Sequence, residues 1–277
     1  MKREQVSFEE VQKIEKYILS VTIRMLEAND IHYSLYCGSV LGCIRHSGSI
    51  PWDTDVDIII SINDYDRFIS CCQKELIPPF YVQYYPNDPH YHCLHPRVGL
   101  TGADTDWIHV DVFMYSGLPE DNEKQLQFIR EARSIVSKFH KKSKIRFTKS
   151  NIVENAARTM YHVMRSLFIP QTRNELHRRF FSLSKEYPVL DAAFVTEIGC
   201  NQYGEKKIYP KAFWEDTILR EYEGLSVRVP REYNSFLAML YGEWEKYPPV
   251  EEREKVKNTI FWADTDLVAH LKSENII

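Results

Sequence analysis

Gly38-Ser39-Val40-Leu41-Gly42-Cys43-Ile44-Arg45-His46-Ser47-Gly48-Ser49-Ile50-Pro51-Trp52-Asp53-Thr54-Asp55-Val56-Asp57 is the stretch on which the reading of this chain turns. Its acidic end runs into Ile58-Ile59-Ile60, so Asp55 to Ile60 reads as a strand buried on at least one face. Side chains two apart on a strand share a face, which makes Asp55 and Asp57 project together. Paired carboxylates in an apolar strand raise each other's pKa, a cost that a cation between them removes. Oxygen ligands of this kind suit Mg2+ or Mn2+, which keep waters and share substrate phosphates. The plain alternative is a surface acidic turn ahead of a strand.

The neighbours of this stretch weigh toward chemistry. Ile31 to Cys37 reads as a strand that ends at Gly38, where the missing Cβ lets a phosphate approach the backbone. The Ser39 hydroxyl and nearby amides would complete a nest for phosphate oxygens. Glycines 38, 42 and 48, with Pro51, argue against one long helix through the segment. Downstream, Trp107 to Met114 alternates as a third strand, with Trp107, His109, Asp111 and Phe113 on one face. A carboxylate in a buried strand needs a reason; a third metal ligand or a general base would supply one for Asp111. Arg45 reads as a bidentate phosphate clamp, with a surface loop arginine as its alternative. Trp52 reads as a packing anchor ahead of base stacking, and Arg97 as a contact for an anionic substrate group. Asp53 joins Gly38, Ser39, Arg45, Trp52 and Arg97 as a candidate substrate-binding residue. Around these, helices are expected over 7–28, with a Ser7/Glu10 capping box, over Ile62 to Leu76 with Asn63 as cap, and over Asn151 to Phe168.

A strand, a Gly-Ser turn, an Asp-x-Asp strand and a lone Asp on a third strand resemble the nucleotidyltransferase superfamily. The stretch 38–57 is similar, more narrowly, to the signature of the LicD family, which includes the fukutin-type enzymes. Tyr209-Pro210-Lys211-Ala212-Phe213-Trp214-Glu215-Asp216-Thr217, Tyr222-Glu223-Gly224-Leu225 through Val229-Pro230, and Tyr241-Gly242-Glu243-Trp244 carry the same likeness. It covers 31–115 and 207–250. Cys37 and Cys43 stand where aliphatic or small residues are usual, and Thr54 replaces a frequent acidic residue. The resemblance implies an α/β (α+β) fold, a nucleotidyltransferase-like mixed sheet flanked by helices. It implies a catalytic core at 1–130, a basic helical accessory region at 131–206 and a C-terminal segment at 207–277 packing on the core. It further implies a phosphotransferase that moves phosphocholine or an alditol phosphate from a CDP-linked donor (CDP-choline, CDP-ribitol or a relative). The acceptor would be a hydroxyl of a cell-surface glycan or its lipid-linked precursor, with Mg2+ or Mn2+ on Asp55, Asp57 and Asp111. The alternatives are a nucleotidyltransferase acting on a small molecule and a non-catalytic glycan-binding protein.

Composition bounds these readings. The 277 residues carry 35 Lys+Arg against 39 Asp+Glu, with 44% hydrophobic residues, as a globular chain does. The net charge of −4 weighs against a nucleic-acid polymer as partner. It is uneven: residues 138–186 hold 12 Lys/Arg against three Glu, net +9, which leaves −13 elsewhere. That basic window suits an anionic membrane surface or a polyanionic acceptor, or else a solvated helical face. A charged N-terminus without an apolar run, and no stretch near the ~20 residues of a membrane span, lead to an expected cytoplasmic protein, membrane-associated at most at that face. The six cysteines lack paired spacing and read as free thiols. His90, His92, Cys93 and His95 fall on two faces of an extended segment, so zinc there would need a turn, and an acceptor-binding loop or plain surface segment is the competing reading. The 13% aromatic content suits a core or stacking on bases and sugars.

Overall fold

The computed structural model describes residues 2–104, 106–142, 164, 168–200, 208–254 and 259–277. In chain order its elements are β1 (Arg3–Val6), α1 (Phe8–Ala28), β2 (Tyr33–Leu35), α2 (Cys37–His46), β3 (Val56–Ser61), α3 (Tyr65–Glu75), β4 (Phe80–Gln83), β5 (Arg97–Leu100), β6 (His109–Gly117) and α4 (Asn122–Lys141). Then come α5 (Arg173–Ser184), β7 (Phe194–Ile198), β8 (Tyr209–Pro210), α6 (Ala212–Glu215), β9 (Thr217–Tyr222), β10 (Leu225–Pro230), α7 (Tyr233–Tyr241), α8 (Val250–Arg253), β11 (Phe261–Asp264) and α9 (Thr265–Ser273).

The apolar run Val56, Ile58, Ile59 and Ile60 is fully enclosed, and all nine residues of β6 are buried, so these two strands form the middle of the sheet. They run parallel, while every other pairing in the seven-stranded sheet is antiparallel, in the order β2-β3-β6-β5-β4. β7 continues along β6 beyond β5, and β8 pairs with β7. The sheet is therefore mixed, as expected, with helices against it. One helix face is set by Val11, Ile14 and Ile18, each buried in the core, and the Ser7/Glu10 capping box is formed in both directions.

Two expectations for local structure shift. The strand expected to run to Cys37 is only Tyr33–Leu35, and the Gly-Ser turn after it is the first turn of helix α2. Gly38 and Gly42 lower helix propensity, yet Val40, Leu41 and Cys43 bury a face there and the packing prevails. Cys37, at φ +43°, makes the sharp elbow from strand to helix. The second shift is at Asn63, which lies inside a 3-10 turn (Ile62–Asp64); Ser61 accepts the Asn63 N–H at 3.3 Å, and α3 starts only at Tyr65. Most of the helix expected at Asn151 to Phe168 lies outside the described residues. Of the basic window, Arg179 pairs with Glu131 at 2.7 Å and Lys185 with Asp66 at 3.1 Å. Among the described residues no helix is long and apolar enough to cross a membrane.

The C-terminal segment is bound to the quoted stretch by polar and aromatic contacts. At the tip of the β9–β10 hairpin, the Glu223 N–H donates to Ser47 O (2.8 Å), and its carboxylate accepts the Ser49 N–H (2.9 Å). Deeper, Trp214 packs against Phe236 (4.9 Å between centroids) and Tyr36 (5.5 Å), and Tyr36 against Phe113 (5.3 Å). Much of the aromatic surplus is thus core.

Gly42 faces the same loop so closely that a Cβ there would stand 2.5 Å from Gly48 O and 3.2 Å from Ile50 N, both backbone atoms. Gly42→Ala is therefore expected to cost about 2 kcal/mol in urea unfolding, as overpacking against rigid backbone does. Wild-type stability in that variant would mean the loop yields freely.

Candidate active site

The parallel register sets Asp57 on β3 directly beside Asp111 on β6, and the antiparallel register sets Asp111 beside Arg97 on β5. Three charged residues thus form one row across three adjacent strands. Like charges opposite one another destabilise a sheet, so the row needs compensation. Asp111 has it: Oδ1 takes Arg97 Nε at 2.6 Å and lies 3.2 Å from His95 Nε2, and Oδ2 lies 3.5 Å from His109 Nε2. Burial opposes its charge, but His109, His95 and Arg97 outweigh that and hold Asp111 well below the usual carboxylate range. His95 is in turn raised well above its ordinary value, against its burial, by Asp111 and Cys93.

Asp57 has no such help. Its Oδ1 is buried without a hydrogen-bond partner, and burial, then Asp55, Asp111 and Asp53, push it well above the carboxylate range. Its backbone, by contrast, is clamped: the N–H donates to Ser39 Oγ (2.8 Å) and the C=O accepts the Tyr36 N–H (2.9 Å). Asp55, just ahead of β3, is open to solvent on one side. Desolvation within the recess, then Asp53, a carboxyl hydrogen bond and Asp111, lift it to about 8. Asp53 is also raised by burial, and a Cβ on Gly38 would stand 2.7 Å from its Oδ2. The α1 side chain of Gln12 donates to Ile50 O (2.9 Å) and Asp53 O (3.1 Å), tying the acidic loop to that helix.

The structure therefore gathers Asp53, Asp55, Asp57, Asp111, Arg97, Gly38 and Ser39. Ser39 spends its hydroxyl on the Asp57 peptide, and the space before Gly38 holds the Asp53 carboxylate. Arg45 and Trp52 lie at the other end of α2, where the Arg45 guanidinium reaches Trp244 O at 2.8 Å. Sequence reasoning overlooked Glu15, which is 1% exposed on α1 with Oε1 unpartnered. Burial, then Asp55, Asp53, Asp57 and Asp111, raise it well above the carboxylate range. Within the His90–His95 segment, Cys93 is buried, and His95 followed by His140 and His92 pull its thiol well below its ordinary value, against burial.

Among the described residues, no three His, Cys, Asp or Glu side chains converge as a complete metal-ligand set, here or at the carboxylates. The acids nevertheless fit a hard divalent cation. Asp57 offers an unpartnered oxygen beside the solvent-open Asp55, and Mg2+ commonly binds through one or two carboxylates with waters and phosphates completing the shell. Asp111 holds Arg97 through Oδ1, and its Oδ2 lies 3.5 Å from His109 Nε2.

The mixed sheet, with an acidic pair across its central parallel strands, is the arrangement expected of a nucleotidyltransferase-like domain. Residues 30–152 match the family described as LicD/FKTN/FKRP, nucleotidyltransferase domain. The chain is 23% identical over 248 residues to the lipopolysaccharide cholinephosphotransferase LicD of Haemophilus influenzae, covering 86% of this chain and 91% of that protein. It is 30% identical over 112 residues to the ribitol 5-phosphate transferase FKRP of Mus musculus, covering 34% of this chain and 22% of that one. It is 35% identical over 63 residues to the uncharacterized protein RT0683 of Rickettsia typhi, covering 23% and 19%. The chain thus spans nearly all of the first relative and about a fifth of each of the other two. Residues 30–152 thus resemble that family's domain, and the likeness to the cholinephosphotransferase runs over most of both chains.

Two outcomes follow from the charge balance. Arg97→Met leaves a buried carboxylate short of its closest cation and is expected to cost about 3 kcal/mol in denaturant unfolding; a loss under about 1 kcal/mol would mean the two histidines suffice. The raised acids act through pH. The folded metal-free protein keeps protons that the unfolded chain, with carboxylates near about 4, has released. Stability should therefore fall as pH rises from about 4 to about 8, where Asp55 ionises. Asp55→Asn should flatten that slope in thermal melts run with a chelator, and an unaltered slope would remove Asp55 as its source.

Proposed function

We propose that this chain transfers phosphocholine or an alditol phosphate from a CDP-linked alcohol to a hydroxyl of a cell-surface glycan or its lipid-linked precursor. The observation that carries the reading is the unpartnered Asp57 oxygen, set in register beside Asp111 and next to the open Asp55. The relatives named as cholinephosphotransferase and ribitol 5-phosphate transferase support the kind of group transferred. Asp55 and Asp57 would hold Mg2+ or Mn2+. Such an ion, when bound, supplies neutralisation of charge on the donor diphosphate.

The protein's own groups do the remaining work. Arg97 is anchored through Nε to Asp111, which leaves its two Nη groups to clamp phosphoryl oxygens in a fork. Asp111 is held too acidic to be a strong base, so its part is to aim Arg97 and keep it charged. Phosphoryl transfer through a loose transition state asks for positioning and charge neutralisation more than for a strong base. The clamps from Tyr36 and Ser39 hold Asp57 in place as the donor arrives.

Incubation with a panel of CDP-alcohols, a glycan acceptor and Mg2+ is expected to release CMP. Chelation should abolish that release, and Asp55→Ala and Asp57→Ala should each lower it by about 100-fold or more with the fold intact by circular dichroism. Pyrophosphate released from CTP or ATP would favour nucleotidyl transfer instead. Full turnover in both variants would overturn the mechanism.

A further inference from the structure

A second group of charges sits at the far end of α2. The Arg45 guanidinium lies 4.8 Å from the Tyr247 ring centroid and 5.8 Å from that of Trp52. The guanidinium of Arg253, the last residue of α8, lies 5.4 Å from Trp52 and 5.7 Å from Tyr247. His46 meets both rings edge-on, at 5.7 and 5.6 Å. Two like charges therefore share the same pair of aromatic rings.

Neither arginine has a carboxylate partner among the described residues. Arg45 donates from Nη1 to Trp244 O (2.8 Å) and Lys246 O (3.4 Å), and from Nε to His46 Nε2 (3.0 Å). Arg253 Nε is buried with no acceptor. Of the two acids on the same loop, Glu243 is taken by Lys246 at 2.6 Å, and Glu245 forms no ion pair with either arginine among the described residues. An aromatic face offsets a cation's charge but offers no oxygen to its N–H groups. Oxygens of one anion would serve both guanidiniums at once, as phosphate and carboxylate do in forked pairs.

The place of the pair says which anion. Trp52 immediately precedes Asp53, so the two sites adjoin. Yet α2 runs from Gly38, against Asp53, to Arg45, seven residues or about 10 Å along its axis. A donor diphosphate held between Asp55, Asp57 and Arg97 does not extend over that length as well. We infer that Arg45 and Arg253, backed by Trp52 and Tyr247, bind a phosphate or carboxylate group of the acceptor glycan. The word acceptor rests on the transferase reading above; the anion site itself does not. The same charges turn away a quaternary ammonium, so these rings are not a seat for choline despite their aromatic faces.

The test begins with metal-free full-length protein and no turnover. Calorimetric titration should give saturable binding of inorganic phosphate and of glucose 6-phosphate, and none of glucose. Arg253→Met should weaken both by about ten-fold or more, with Arg253→Lys in between, because lysine keeps the charge but not the fork. Unaltered phosphate binding in a folded Arg253→Met protein, or none in the wild type, would overturn the site. Failure to release CMP from any CDP-alcohol would sink the transferase reading and leave this result standing. In the turnover assay, Arg253→Met should raise KM for an anionic acceptor while KM for the donor holds. A rise in donor KM alone would overturn the assignment to the acceptor.

Discussion

Asp57 and Asp111 stand side by side on the two central strands of a buried sheet, and much of the surrounding structure answers that juxtaposition. The answer is lopsided. Asp111 is met by Arg97 from the next strand and by two histidines. Asp57 has its peptide group held from both sides and its carboxylate left without a partner. A structural ion-pair network would be expected to satisfy both acids, since an unpaired buried carboxylate is expensive. Leaving one short of a partner makes sense where a ligand brings the missing charge.

The scaffold is built to keep that arrangement from relaxing. The elbow at Tyr36 to Ser39 fixes β3 at Asp57, Gln12 fixes the acidic loop to α1, and the β9–β10 hairpin fixes the loop after α2 through Glu223. Two separate parts of the chain, α1 and the hairpin, thus hold one twenty-residue stretch, and the elbow ties its start to its end. Without these ties, mutual repulsion would spread Asp53, Asp55 and Asp57 into solvent, where carboxylates are cheaply hydrated. Glu15 belongs to the same logic. Its burial beside the acids adds a fourth raised carboxyl at the back of the recess, where protonation, not pairing, keeps it tolerable.

The strands and the acids were legible in the sequence because both rest on short-range pattern. An apolar run identifies β3, alternation identifies β6, and Asp-x-Asp fixes which side chains share a face. Helix α2 was harder, since its glycines argue against a helix and only contacts with Gly48, Ile50 and the buried face decide for one. The use of Ser39 was hidden for a related reason: a serine after a glycine resembles a phosphate nest, and its engagement with the Asp57 peptide is a long-range fact. Glu15, however, was within reach. It lies four residues after Val11 and four before Leu19, both buried, so the periodicity that gave α1 its inner face also placed a carboxyl on it. The pairing of Arg97 with Asp111 depends on strand register, and nothing local encodes that.

Burial along the row of acids suggests how an ion and its substrate would arrive. Asp55 is open, Asp57 is partly covered and Asp111 is enclosed, so negative potential deepens from the surface inward while accessibility falls. Asp55 at the surface and the unpartnered oxygen of Asp57 behind it would be the groups that hold a divalent cation, with waters completing its shell. Keeping waters suits Mg2+, which dehydrates reluctantly and leaves positions for phosphate oxygens. Asp111 would act on that cation only through the field, and Arg97, whose charge it sustains, would face the phosphates from the other side. One carboxylate would thus attract a bound metal at a distance while it anchors Arg97 opposite. The asymmetry in its partners is what permits both.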